Sequence, residues 1–418
     1  MKKVTGERVA VIGGGVIGAL CAWELSDAGF DVTIIDKGKF GGACSHGNCG
    51  YVSPSHVLPL CQPGAITKTL KAMLKKNSPF AIKPRLNSGF FKWFLKFASH
   101  CNRRTMMKTG AGRDAMLQNS KQFYQELIES QKIECEWQEV GLLFVFDDEK
   151  TFEEYGKTDS LLRNHFGVAA TPYDGEQLVE LEPAIKPGFG GAWHYEGDCH
   201  MRPDLFLIEI RQRLENRGVQ VLEGFQVDQF VRENGSARTV LGNGQSVEAD
   251  IFVVATGAWT PFLNKHLGFQ VPIEPGKGYS LTMPKPARMP KIPIIFEDSH
   301  VAITPMKSKY RIGSTMEFVG YDTTINPKRL GILKTAAAKY LHDPHCDPIE
   351  ETWYGWRPMT WDGKPVIDRS PAMSNVWVAA GHSMLGLSMA TGTGKLIRQM
   401  ILGENPHVDP VHFSIARL

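Results

Sequence analysis

The apolar run Val9-Ala-Val-Ile12 reads as a buried strand that breaks into Gly13-Gly-Gly15-Val-Ile-Gly18. A helical stretch over 19–28, a turn at Gly29 and a second strand, Val32-Thr-Ile-Ile-Asp36, follow. This is the strand–turn–helix–strand unit that grips a dinucleotide. Gly13 permits the tight turn, Gly15 lets backbone N–H groups approach a pyrophosphate, and Gly18 lets the helix pack close on the strand. The helix start then turns its positive dipole end toward the phosphates. Asp36, ending the second strand, is placed to accept hydrogen bonds from a ribose hydroxyl.

Further along, Ile66, Leu70, Met73 and Leu74 recur at helical spacing while Lys68, Lys71 and Lys75 take another face, which predicts a short amphipathic helix over 65–76. In Gly89-Phe-Phe-Lys-Trp-Phe-Leu-Lys-Phe97, Lys92 and Lys96 share one face and aromatics crowd the rest. Helices are also expected over 115–132, 176–183 and 203–217, and a strand over 139–147 with Val140, Leu142, Phe144 and Phe146 on one alternating face. Short strands at 219–221 and 226–231 precede hairpin turns at Asn234-Gly235 and Asn243-Gly244, and a buried strand at 251–255 ends in Ala255-Thr-Gly257. Residues 270–353 alternate strand-like pieces with Gly and Pro turns before one helix at 328–341. The chain then returns to strand–turn–helix, with a strand from Val376, a turn at Gly381 and a helix over 385–402.

Length and charge sharpen this picture. The 418 residues suffice for about two domains with filled cores. The formal charge of +3 hides an asymmetry, because the 14 Lys and Arg between Asp36 and Asp114 face no Asp or Glu. That leaves the remainder of the chain at 3 − 14 = −11. Such one-sidedness usually serves an anionic partner. The basic aromatic segment at about 65–108 suits a membrane interface, or its aromatics pack on the protein's own body. Without another nucleic-acid motif, nucleic acid is not an expected partner. No apolar run is long enough to span a bilayer, and no charged-then-apolar leader is legible, so the expected location is cytoplasmic. The eight cysteines form no CxxC pair, which fits reduced thiols. His342, His345, Cys346 and Asp347 are crowded by Pro344 and Pro348 and read as a loop, so no metal site is expected.

Three distant segments are thus glycine-rich strand ends: Gly13–Gly18, Ala255–Gly257 and Gly381–Gly394. Together with Ser45-His-Gly-Asn48-Cys-Gly50-Tyr-Val-Ser53-Pro54, Gly278-Tyr279-Ser-Leu-Thr282, Gly355-Trp-Arg357-Pro-Met-Thr360-Trp-Asp362-Gly363-Lys-Pro365 and Gly381-His382-Ser-Met-Leu-Gly386, they form a set spread over most of the chain. That set resembles the flavoprotein family of D-amino acid oxidases and dehydrogenases, which includes glycine and sarcosine oxidases. Within it the chain looks most similar to the bacterial D-amino acid dehydrogenases.

The resemblance implies an α/β fold with a Rossmann-like FAD-binding domain and a discontinuous second domain of mixed sheet and helices for the substrate. The expected division is 1–60, 198–266 and 354–418 for FAD, with 61–197 and 267–353 for substrate. It places Gly13, Gly15, Gly18 and Asp36 on the ADP half of FAD, Val227 and Gly257 on the adenine side, and Ser45, Asn48 and Gly50 along the isoalloxazine. Gly381, His382 and Gly386 belong to the same cofactor set, since a helix starting after His382 would bring partial positive charge to the flavin pyrimidine.

Arg357 is implied to fork onto the substrate carboxylate, for which a planar guanidinium is suited. Tyr279 completes that clamp or walls the pocket, and Tyr51 is a weaker candidate for the same task. His46, where the family pattern has a small residue, is open to three roles: covalent attachment of flavin, proton acceptance from the substrate ammonium, or structure. The implied reaction is oxidative deamination of a small D-amino acid, or of an imino acid such as D-proline or hydroxyproline, with electrons passed to a quinone at an anionic membrane surface. The alternatives are an oxygen-using glycine or sarcosine type of oxidase, and a flavin-containing accessory protein that modifies a partner enzyme.

Overall fold

A computed structural model describes residues 6–73, 78, 80–83 and 87–418. Arg8–Ile12 lies inside a six-stranded sheet, and Val9 to Ile12 are all buried, as expected of a parallel strand covered on both faces. Across that sheet the strands run Val366–Arg369, Val376–Ala380, Ile251–Val254, Arg8–Ile12, Asp31–Asp36 and Gln220–Glu223. All neighbours are parallel except the edge strand Val366–Arg369. The helix Val16–Asp27 shares one buried apolar cluster with the C-terminal helix Ala390–Leu402 and the long helix Arg103–Gln131, through Leu20, Leu396, Met116 and Tyr124. The hairpin turns fall as expected, with left-handed backbone at Asn234, Gly235, Asn243 and Gly244.

The second sheet has nine strands and is largely antiparallel. Its order is Glu351–Thr360, Ile273–Met283, Tyr310–Phe318, Val301–Pro305, Ile294–Phe296, Leu142–Phe146, Gly191–Tyr195 and Thr171–Asp174, while Phe80–Ile82 pairs with Tyr310–Phe318 out of this line. Helix Pro327–Tyr340 covers one face through Leu333, Ala337 and Tyr340.

Several elements depart from the sequence reading. All five residues of Leu142–Phe146 are buried: Leu142, Phe144 and Phe146 share one apolar cluster, as the alternation predicts, Leu143 and Val145 on the other face join a second, and Val140 lies outside the strand. The helix expected over 115–132 begins at Arg103, capped by the Asn102 side chain accepting from Thr105 N. Two elements also cross the expected division at 61–197, 267–353 and 354. Arg103–Gln131 packs on the dinucleotide side, and Glu351–Thr360 lies wholly in the nine-stranded sheet.

The basic aromatic segment splits in two. Helix Ala65–Met73 is present, while Leu74 and Lys75 lie outside the described residues. In helix Ser88–His100, Phe90 and Trp93 are buried, and Phe94 and Phe97 pack toward Met316 and Met359. Trp93 Nε1 donates to the carbonyls of Pro272 and Met359, both at 3.1 Å. Phe91 and Leu95, four residues apart and therefore on one face, remain 55% and 68% exposed beside exposed Lys92 and Lys96. Among the described residues no helix is long and apolar enough to cross a membrane.

Candidate active site

At the end of the first strand Gly13 takes φ +110°, and a Cβ there would lie 2.5 Å from the Ala255 carbonyl oxygen. A Cβ on Gly18 would lie 1.8 Å from the Gly13 oxygen, so the helix can start this close to the strand only with glycine at both positions. The Asp36 carboxylate accepts from Gly14 N and Gly38 N, each at 2.7 Å, and thereby fixes the loop. A cavity of about 680 Å³ opens from this loop and runs to the face of the nine-stranded sheet.

At the loop end the cavity is lined by Gly13, Gly15, Asp36, Val227 and Gly257. Ser45, Asn48, Gly50, His382 and Gly386 line its middle and far portions, with Tyr279 and Arg357 on the sheet. Three predicted site residues lie off its wall. Gly18 is buried behind the loop, Gly381 makes a left-handed turn under Thr360, and His46 points away.

Segment 45–50 is stapled from both sides. Ser45 Oγ accepts from Val16 N at 3.0 Å, which ties it to the phosphate-facing helix. The next carbonyls accept from side chains of the large sheet: Arg311 donates to those of His46 (3.4 Å) and Asn48 (2.7 Å), Ser280 to that of Gly47 (2.7 Å) and Thr304 to that of Cys49 (2.8 Å). Asn48 Oδ1 in turn accepts from Gly50 N at 2.6 Å.

Of the three roles open to His46, its pairing supports the structural one, a clamp. Its Nε2 pairs with Glu351 Oε1 at 2.6 Å, and that bond raises its pKa above the usual histidine value. The expected helix start after His382 is corrected. Residues 381–389 form turns and the helix begins at Ala390, so no helix terminus directly follows His382. His382 Nε2 meets Thr393 Oγ1 at 3.0 Å, and burial lowers its pKa to about 3, leaving it neutral.

Arg357 reaches across its neighbouring strand. A Cβ on Gly278 would lie 2.2 Å from Arg357 Nη1, so glycine there makes the room for the guanidinium. Nη1 donates to the Thr315 carbonyl at 2.9 Å. That carbonyl is presented by a bulge in which Ser314 and Thr315 have φ 134° and 57°. No carboxylate pairs with Arg357 among the described residues, and desolvation draws its pKa down. Tyr279 is 2% exposed and its hydroxyl donates to Glu317 Oε2 at 2.7 Å, while Arg329 Nε donates to Oε1 of the same carboxylate at 2.6 Å. Its ring therefore walls the cavity while its hydroxyl is engaged elsewhere. Tyr51 likewise spends its hydroxyl on the Ile303 carbonyl at 2.8 Å.

The sequence reading missed His56, Trp353, Ile295 and Ala302, which also line the cavity. His56 stands next to the Ser53-Pro54 motif, and that adjacency was the available signal. Ile295 and Ala302 look like any core residues until the strand register places them. The cysteines Cys44 and Cys49 also line the cavity, and burial raises both thiols, Cys44 to about 11.

A glycine cradle on a parallel sheet, opening into a cavity whose far wall carries a buried arginine, defines a dinucleotide-dependent oxidoreductase. The chain belongs to the family described as DAO, FAD dependent oxidoreductase, which it matches over residues 8–400, and its cofactor is FAD. The tight approaches at Gly13 and Gly18 fit the pyrophosphate of that group. The D-amino acid dehydrogenase of Granulibacter bethesdensis is 30% identical over 420 residues, covering 98% of this chain and 99% of that protein. Among solved structures, glycine oxidase from Geobacillus kaustophilus superposes with a TM-score of 0.78 at 21% identity, covering 99% of each chain. L-proline dehydrogenase from P. horikoshii superposes at 0.71 with 20% identity, covering 98% of this chain and 97% of that one.

Proposed function

We propose that the protein oxidatively deaminates a small D-amino acid, or an imino acid of the D-proline or hydroxyproline kind, to an imine that water hydrolyses to a 2-oxo acid and ammonia or the ring-opened amine. The observation that carries this reading is Arg357, a desolvated cation on the cavity wall with a single backbone carbonyl as partner and no carboxylate among the described residues. An incoming carboxylate supplies the missing anion, and a planar guanidinium takes it bidentately. That grip orients the Cα–H, and orientation is the larger part of what the protein must contribute. Bound FAD supplies the hydride acceptor. Tyr279, Tyr51 and Trp353 exclude water around the reacting carbon. The names of the relatives, D-amino acid dehydrogenase above all, support the same reaction class.

Anaerobic bleaching of the bound flavin against D-, L- and N-methyl amino acids tests the reading. Bleaching by one group, lost in Arg357→Ala, is expected; a flavin that none of them reduces refutes it and favours a role as an accessory protein.

For the electron acceptor, the exposed pair Phe91 and Leu95 beside Lys92 and Lys96 supports docking on an anionic membrane, on the inner face of the cell, and delivery to a quinone. Sedimentation with anionic liposomes should fall with salt and vanish in the Phe91→Glu, Leu95→Glu double variant. Failure to bind at any salt concentration leaves oxygen as the acceptor, as in an oxidase.

A further inference from the structure

The wall of the cavity beyond Arg357 is built from residues in register. Ala302 pairs with Ile295 across the strands Val301–Pro305 and Ile294–Phe296, and Ile295, the last of these on the cavity wall, pairs with the core residue Phe144 on the next strand. Paired residues point to the same face. Arg357 bonds at Thr315 on the strand Tyr310–Phe318, and Ala302 pairs with Gly313 on it, so Ala302, Ile295 and Phe144 stand about 5, 10 and 14 Å away across the sheet and about 7 Å along it at the usual spacings. His56 closes the far end, its ring 5.5 Å from that of Phe144.

The Ser55 hydroxyl donates to Asp198 Oδ2 at 2.6 Å, so toward His56 Nδ1, 3.4 Å away, Ser55 Oγ presents a lone pair. Nε2 has no partner among the described residues and, according to the tautomer, accepts from or donates to a hydroxyl. Burial, with Arg113 nearby, holds the ring neutral, its pKa lowered to about 4. Apart from Arg357, the charged residues on the cavity wall, Asp36, Lys37 and Asp228, lie toward its cofactor-loop end.

We infer that His56 reads a hydroxyl at the end of an extended, neutral substrate side chain lying over Ala302 and Ile295, as in a para-hydroxyphenyl amino acid. This rests on the proposed amino acid oxidation with Arg357 holding the carboxylate, and replaces the small side chain of that reading by an extended one. A compact side chain stops short of His56, and a charged one meets no counter-charge along this wall.

The test is anaerobic flavin reduction by D-tyrosine, D-phenylalanine, D-alanine, D-glutamate and D-lysine, with flavin content checked for every variant. D-tyrosine is expected to exceed D-phenylalanine by about tenfold in kcat/KM, the range of one neutral hydrogen bond. That ratio falls to about one in His56→Phe and recovers in part in His56→Gln. Ala302→Phe, which fills the path, lowers the D-tyrosine to D-alanine ratio at least tenfold. Equal reaction of D-tyrosine and D-phenylalanine, faster reaction of D-glutamate or D-lysine, or bleaching by D-alanine and not D-tyrosine overturns the inference while amino acid oxidation stands. A flavin bleached by no amino acid overturns the oxidation reading and this inference with it.

Discussion

Adding one methyl group, Gly278→Ala, probes how Arg357 is held. The new Cβ would sit 2.2 Å from Nη1 and 2.6 Å from Cζ and Nη2 of Arg357. The strand has little freedom to retreat, since Gly278 pairs with Gly355 on one side and faces the Ser314–Thr315 bulge on the other. The guanidinium is the loose end of a flexible side chain, so it moves instead and gives up the Thr315 carbonyl at 2.9 Å. A hydrogen bond to a charged group is worth about 1.5–3 kcal/mol, and losing one arm of the carboxylate fork therefore costs about 10- to 160-fold in kcat/KM. The loss should fall mainly on KM, because the grip on the carboxylate is the same before and during hydride transfer. Stability should change by no more than about 1 kcal/mol, since alanine also restricts the unfolded chain. Stopped-flow flavin reduction, with thermal unfolding and flavin content in parallel, reads both quantities. A kcat/KM within twofold of the parent would refute the idea that Gly278 makes room for the guanidinium.

Asp36→Ala leaves Gly14 N and Gly38 N without their acceptor and should weaken FAD binding about 10- to 100-fold, read by fluorescence titration of the apoprotein; unaltered affinity would contradict the role assigned to Asp36. Arg311→Met removes the donor to the His46 and Asn48 carbonyls and to Thr282 Oγ1 and should cost about 3 kcal/mol in urea unfolding, with flavin released earlier than in the parent. His382 is lowered to about 3 from an ordinary 6.5, so below pH 6.5 the unfolded chain binds a proton that the folded chain refuses, and stability falls as pH drops through that window. In His382→Gln the slope of stability against pH between 6 and 4 should flatten by about 1.4 kcal/mol per unit; parallel slopes for the two proteins would count against a neutral buried imidazole.

The dinucleotide end was legible because its chemistry is local. Within 28 residues the chain states the strand, the crowded glycines and the acid, and each constraint has one physical cause. The substrate end is assembled from partners hundreds of residues apart, and there only Arg357, Tyr279 and Tyr51 were readable as candidates. His46 shows why: Asn48 and Gly50 line the cavity, and His46 is turned outward by its pairing with Glu351, 305 residues away in sequence. The start of the last helix was misread because Leu385, Leu387 and Met389 continue its apolar pattern through turns that pack in the same core. The long helix from Arg103 was half hidden for the opposite reason, as Arg103, Arg104, Lys108, Gly110 and Gly112 give it a polar, glycine-bearing first half.

The bulge beside Arg357 connects fold to chemistry. Ser314 and Thr315 hold left-handed backbone without being glycine, a strain of about 1–3 kcal/mol each, on a strand otherwise paired on both sides. A regular ladder would turn the Thr315 carbonyl into the sheet, whereas the bulge aims it at Arg357. The carbonyl dipole steadies the guanidinium without neutralising it, so the desolvation cost of a buried cation stays only partly offset until an anion arrives. A carboxylate side chain in place of that carbonyl would hold the arginine more tightly and compete with every substrate. Under the proposed role of Arg357, the strained backbone thus favours a site that is tightest only when a carboxylate is bound, and the stapling of segment 45–50 to the same sheet would keep that anion in register with the cofactor wall.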